Sequence, residues 1–448
     1  MLQPGSAGVS GRVLRNQAYP CAIAVVASFL AGAPVRAEET EASLSSLATQ
    51  SALTDTPGGP REKLREIGLS TDFWITQILQ GQPSGSASKD WLHGGRFDAL
   101  LKVDGKKLGL WEGFRLDSQF EHYLGRDINS RDFALLPVNS VNAFVRRDGY
   151  HSALSIAATQ DFGEHFSIAA GKVNTMTLAA RTPLLGGGGI DTFLNRAFAA
   201  PATGVGVAAR GTVTDRLVVS PTYTLGAAAT LKSDPLTVTF LVVDPRNAQN
   251  SRVIEHPFER GVSVGGMATI KTKFAGEPSF HTFRAVYSNA RGFDLDDAGD
   301  VRRQLLAGQP VTKKGYWFAS YGFQQFLAHS EKEKGVGWGG FGLVNVSDGN
   351  PNPVKWSVIG GLAGNNLLPG RELDRWGLGY FHYGLSQLLI DGLARFAIRR
   401  RSESGFEAFY NLALTPWLRL SADVQYVDPW NTTRARACYA ALRLQTKF

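Results

Sequence analysis

The chain has 448 residues, of which 43% are hydrophobic, 19% charged and 10% aromatic; it has 50 glycines, two cysteines and a formal charge of +8. Mean hydropathy is −0.11. Beyond the N-terminus no apolar run approaches the ~20 residues of a spanning helix, which excludes a helical membrane protein. The positive excess is mild and has no clustered basic run, so the footprint of a nucleic-acid binder is missing.

Residues 1–37 read as a secretory signal. Arg12 and Arg15 precede the short apolar run Ala22–Ala33, and Val35-Arg36-Ala37 makes an A-x-A-like cleavage site before Glu38. Cys21 begins that run rather than following it, so no lipid anchor is expected. Cleavage removes Arg12, Arg15 and Arg36 and lowers the charge to +5. It also leaves Cys438 alone, which rules out an intrachain disulfide. Residues 38–68 are a polar lead-in. Pro60 to Ile67 is either one short helix with proline in its first turn or flexible chain.

From Ser70 the sequence reads as sixteen strands. They lie near 70–81, 93–103, 110–124, 150–160, 165–174, 217–231, 236–244, 260–274, 279–290, 314–328, 335–347, 354–365, 374–384, 404–414, 417–428 and 434–448. Successive side chains of a strand point to opposite faces. Phe97, Ala99 and Leu101 thus oppose Arg96, Asp98 and Lys102. Phe114, Leu116 and Phe120 oppose Arg115, Asp117, Gln119 and Glu121. Trp317, Ala319, Tyr321 and Phe323 oppose Ser320, Gly322 and Gln324. Leu418, Leu420, Ala422, Val424 and Tyr426 oppose Arg419, Ser421, Asp423 and Gln425. In the last run Ala440, Leu442, Leu444, Thr446 and Phe448 oppose Arg443, Gln445 and Lys447. A soluble sheet on a core and a membrane barrel both explain such alternation.

The connections decide between them. Those after even strands are short and carry turn chemistry, as in Asp104-Gly105-Lys106-Lys107, Asp161-Phe162-Gly163-Glu164 and Ala275-Gly276-Glu277-Pro278. Those after odd strands are often long: 125–149, 175–216, 245–259, 291–313 and 385–403. A sandwich has no reason to sort loops by parity, whereas an outer-membrane barrel has short periplasmic turns and long outer loops. The fold class expected is therefore all-β, a transmembrane antiparallel β-barrel of 16 strands over 69–448. The longest connection, 175–216, follows strand five and is expected to fold inward and narrow the channel. Its Gly186–Gly189 run permits tight turns. It lacks the following Lys-Ser/Thr and helix of a phosphate cradle.

No catalytic constellation emerges. Eight histidines are scattered without a His-x-x-x-His pair, and no Gly-x-Ser-x-Gly elbow occurs. No enzyme, cofactor or metal site is expected.

At Leu367-Leu368-Pro369-Gly370-Arg371-Glu372-Leu373-Asp374-Arg375-Trp376-Gly377-Leu378-Gly379-Tyr380 the chain resembles the carbohydrate-selective porins of the OprB type. Glu407 to Asn411 with Thr415-Pro416-Trp417-Leu418, and Asp423-Val424-Gln425, look like that family's closing hairpin. Weaker echoes occur at Gly171–Asn174 and Gly58–Arg61. Pro57 stands where a tryptophan is common, and Ala422 where a proline is common. The resemblance implies a sixteen-stranded outer-membrane barrel that passes mono- or short oligosaccharides by diffusion.

The pore-lining candidates are Arg96, Arg115, Asp117, Glu121, Arg419 and Asp423 on inward strand faces, with Arg181, Asp191 and Arg196 in the long loop. Each either meets solute or holds a structural ion pair across the lumen wall. Arginines donate and carboxylates accept the hydrogen bonds that replace a sugar's water. The partners expected are diffusing sugars, outer-membrane lipid and the barrel assembly machinery, which would recognise the strand ending in Phe448; no nucleic acid is expected. The barrel is expected as a monomer or homotrimer. The alternatives are an anion-preferring or general small-solute porin, suggested by the net charge, and a barrel adhesin or outer-membrane enzyme.

Overall fold

The computed structural model describes residues 47–448 apart from 87–88, 130–133, 143–151, 176–183, 185–189, 199–222, 246–255, 297–311, 331–334 and 366. The expected signal at 1–37 lies outside the described residues.

Sixteen strands follow in chain order: β1 (Leu69–Ser84), β2 (Leu92–Asp104), β3 (Phe114–Gly125), β4 (Ser152–Phe162), β5 (Phe166–Asn174), β6 (Tyr223–Ser233), β7 (Leu236–Val243), β8 (Ser263–Phe274), β9 (Glu277–Phe293), β10 (Thr312–His329), β11 (Gly337–Ser347), β12 (Val354–Asn365), β13 (Arg375–Leu385), β14 (Glu403–Ala413), β15 (Leu418–Asp428) and β16 (Ala437–Lys447). Each pairs antiparallel with its chain neighbours. β1 pairs with β16 from Trp74 opposite Lys447 to Ser84 opposite Cys438, which closes the barrel. Closure leaves no free edge, so every strand finds backbone partners inside the sheet. No described helix is long and apolar enough to cross a membrane.

Strand ends depart from the expected ones where glycine sets the backbone. The third strand was expected from 110 but starts at Phe114, because Gly109 and Gly113 both have φ of +80° and turn the chain there. The β8–β9 hairpin needs only Ala275 and Gly276, at φ +53° and +84°. Two consecutive positive φ values make the tight turn whose twist matches the flanking strands.

Alternation sorts the two faces. Phe240, Val424, Phe406 and Leu442 are 59%, 57%, 51% and 50% exposed on the outside. Burying one such side chain is worth ~1.5–3 kcal/mol. A water-soluble sheet would cover them, whereas hydrocarbon satisfies an outward apolar belt. The inner faces carry the charges and amides.

Helix α1 (Pro60–Glu66) sits at the end with the short turns, which an outer-membrane barrel presents to the periplasm. Arg61 donates to the Phe448 carbonyl at 2.8 Å and pairs with Asp72 at 2.7 Å. Lys447 reaches the same carboxylate at 3.1 Å. The segment before β1 thereby fastens the β1–β16 seam. Helix α2 (Gln387–Ala394) lies in the β13–β14 connection.

Candidate functional site

The inner wall has a packed side and a more open side. On β14–β16 the inward residues Glu403, Glu407, Asn411, Ser421, Asp423, Gln425, Arg443 and Gln445 are all at most 2% exposed. Polar side chains facing a water-filled channel would be wetter than this. Two connections cover them: 134–142 after β3 and 190–198 after β5.

Carboxylates on the wall hold both loops by their backbone. The Leu135 N–H donates to the two oxygens of Glu403 at 2.9 and 2.8 Å. The N–H groups of Leu194 and Asn195 donate to Glu407, the second at 2.9 Å. A buried carboxylate is tolerated when charge-assisted hydrogen bonds satisfy it, and these oxygens receive paired donors. Gln425 donates to the Val138 carbonyl at 2.9 Å and accepts from the Asn195 side chain at 3.1 Å. Arg443 donates to the Thr192 carbonyl at 2.9 Å. The loops also join each other: Ser140 N–H bonds the Leu194 carbonyl at 2.7 Å, and Arg196 N–H the Pro137 carbonyl at 2.9 Å.

Aromatic packing completes the anchor. Phe193 lies 4.3 Å from Phe198, 4.9 Å from Phe409 and 5.7 Å from Phe341 between ring centroids. Room for these rings comes from β13. A Cβ at Gly377 would lie 2.6 Å from the Phe193 ring, and one at Gly379 would lie 2.4 Å from the Phe198 ring. At the other side of the lumen, Leu184 N–H donates to Gln324 on β10 at 2.7 Å.

The residues singled out from sequence fall into distinct settings. Arg96 bonds Asp98 at 2.9 Å and approaches Glu121 at 3.7 Å. Gln119 bridges the two acids at 3.1 and 3.0 Å, and Tyr123 donates to Glu121. Arg96, Asp98 and Glu121 are buried, so they form a closed wall network. Arg115 is bidentate on Asp161 at 2.7 and 3.0 Å near the periplasmic end. Asp117 is exposed on the inner face of β3, opposite Lys102.

Arg419 donates to the Leu373 carbonyl at 3.1 Å. Asp423 accepts from Gln425 at 3.0 Å. Arg196 is buried in a 3-10 turn, Arg196–Phe198; burial pushes its guanidinium down to about 10 against the opposing pull of the Tyr123, Tyr383 and Tyr223 phenols. Asp191 pairs with Arg375 at 2.9 Å. Burial alone would raise its carboxyl, but Arg375, Arg419 and Arg443 outweigh that and hold it below the usual range. Arg181 lies outside the described residues. Sequence reading missed Glu403, Glu407 and Arg443 as loop anchors, and it missed the docking of 134–142 on this wall.

The inner face of β7–β10 is different. Thr239, Met267, Thr269, Thr282, Arg284 and Ser320 are all partly exposed. These residues present four hydroxyls, one thioether and one guanidinium. Among the described residues no group of three or more His, Cys, Asp or Glu is placed to hold a metal ion.

A closed sixteen-stranded barrel with an apolar outside, polar inside and loops fixed across its bore is a diffusion pore of the outer membrane. Comparison with family profiles matches residues 88–448 to the carbohydrate-selective porin family, OprB. The chain belongs to that family. Its fold is similar to Pseudomonas putida OprB at high pH: 18% identity, TM-score 0.75, covering 90% of this chain and 99% of that one. The low-pH structure of the same porin gives 13% identity and a TM-score of 0.52 over 90% and 99%. Pseudomonas aeruginosa OccK11 gives 9% and 0.42 over 85% and 95%. No curated protein matches the chain by sequence.

Proposed function

We propose that sugars cross the outer membrane through this barrel by passive diffusion, along the bore left between the loop-covered wall of β14–β16 and the hydroxyl-lined wall of β7–β10. Family membership carries the reading. The wall geometry supports it, because hydroxyl and guanidinium groups replace the water that an uncharged, hydroxyl-rich solute sheds at a constriction. The part assigned to the anchored loops is to set the aperture. Asp117, exposed on the inner face, is assigned to the solute path, whereas Arg96 and Glu121 are assigned a structural role in the wall. The reading is of a channel without a catalytic step. Residues 1–37 are assigned to export, which N-terminal sequencing of the mature protein should show by a start at Glu38.

The test is single-channel conductance in a planar bilayer during glucose titration. A sugar pore gives saturable reduction of the ion current. A wide general or anion pore gives only the reduction that bulk viscosity accounts for, and that result would reject the carbohydrate reading.

A further inference from the structure

Most inward arginines of the described wall are committed. Arg96 and Arg115 are in ion pairs, as is Arg375, and Arg419 and Arg443 donate to loop carbonyls. Arg284 stands apart. It lies close to the middle of β9, with an even number that places it on the same face as Thr282 and Ser288. Its direct cross-strand neighbours are Met267 and Ser320. Its hydrogen-bonding contact is a weak one, Nη2 to the Met267 sulfur at 3.9 Å. The residue is half-buried.

Among the described residues of the strands around it there is no nearby counter-charge. The five strands β7–β11 carry a single acid, Glu277. That carboxylate is seven residues along β9, about 23 Å away, on the opposite face, and is bonded to His329. Hydroxyls fill the space instead. Thr239 is in the same cross-strand row and touches Thr230 at 3.1 Å, while Thr269 and Thr282 touch each other at 3.1 Å one row on. On β8 the face of Thr269 continues to exposed Lys271 and Lys273 toward the periplasmic turn.

An uncompensated guanidinium among hydroxyls fits a solute carrying both an anion and several hydroxyls. We infer that Arg284, with the flanking threonines, forms a subsite for sugar acids: monosaccharides bearing a carboxylate, such as gluconate. The guanidinium fork takes the carboxylate through two parallel N–H donors, and the threonines meet the hydroxyls. Lys271 and Lys273 continue the positive path toward the periplasm. Neutral sugars use the same hydroxyls but forgo the charge-assisted pair, which is about twice as strong as a neutral hydrogen bond. The inference rests on the sugar-pore reading and adds charge to the class of sugar.

The experiment compares current block by gluconate and by glucose at constant ionic strength, in wild type and in Arg284→Gln. Wild type should be half-blocked by gluconate at a concentration about five- to tenfold below that for glucose. Arg284→Gln should abolish that advantage while leaving glucose block within about twofold. Equal block by the two solutes in wild type, or an advantage that survives in Arg284→Gln, overturns the subsite. If Arg284→Gln fails to give a folded, heat-modifiable band on a gel, wild type decides alone. Its gluconate advantage should shrink as KCl is raised from 0.1 to 1 M, across which the screening length falls from about 10 to 3 Å; a constant ratio overturns the subsite. Absence of saturable block by either solute is a different failure, which removes the sugar-pore reading and the subsite with it.

Discussion

Glu407→Ala should loosen the segment 190–198 from the wall of β14–β16. In the wild type Glu407 is 1% exposed, and its oxygens take the N–H groups of Leu194 and Asn195, which are 0% and 2% exposed. Truncation leaves two buried donors without an acceptor, at about 1–3 kcal/mol each. Part of that is recovered because a buried carboxyl beside Asp423 disappears. The expected net loss of docking free energy is therefore about 2–4 kcal/mol. The remaining anchors are the Thr192 carbonyl on Arg443, the Asn195–Gln425 pair, the Asp191–Arg375 pair and the two phenylalanines, so the loop stays docked for most of the time. What changes is its rate of excursion. Hydrogen–deuterium exchange of a peptide spanning 190–198, in detergent-folded protein, should lose protection by about 30-fold or more. Single-channel current should become noisier with brief higher-conductance states. Glu407→Gln, which keeps one acceptor, should fall between. Unchanged protection of 190–198 in a folded Glu407→Ala barrel would show that the carboxylate does not hold the loop.

Two other predictions follow from the faces and the charges. Leu442, the middle residue of β16 and 50% exposed on the outer face, should cost about 2–4 kcal/mol when changed to Arg, measured by urea titration of folding into lipid vesicles. Thr239→Arg on the open inner wall should cost far less, and equal losses would contradict the assignment of faces. The Asp191–Arg375 pair gives a pH dependence. Because its carboxyl is depressed in the folded state, its contribution is fully present above the ordinary carboxylate value near 4 and is lost as pH falls through the lower folded value. The part of the channel noise that this pair suppresses should therefore appear as pH falls toward 3, and Asp191→Asn should show it already at pH 7.

The barrel wall was legible in the residue pattern. Period-two alternation in Phe97–Lys102, Phe114–Glu121 and Ala440–Lys447 assigns inner and outer faces because strand geometry fixes it locally. The sorting of short turns from long loops identifies a barrel in a membrane, since only there do the two ends of every strand meet different compartments. The family motif at Leu367–Tyr380 and the closing hairpin near Glu407–Asn411 gave the solute class. What the alternation could not reveal is which inward residues meet solvent. Glu407 and Arg284 are both polar and inward, yet one is sealed under a loop and the other is only half-buried, with threonines nearby. The difference arises from contacts across more than 200 residues, such as Asn195 on Glu407, which no local spacing encodes. The same holds for 134–142, whose Leu135 and Val138 reach β14 and β15. It holds too for Gly377 and Gly379, whose missing side chains matter only because Phe193 and Phe198 arrive from a distant loop. Tertiary structure alone decided the shape of the bore, because closing the sheet brings β3, β5 and β14–β16 around one cavity and leaves the loops to choose which side of it to cover.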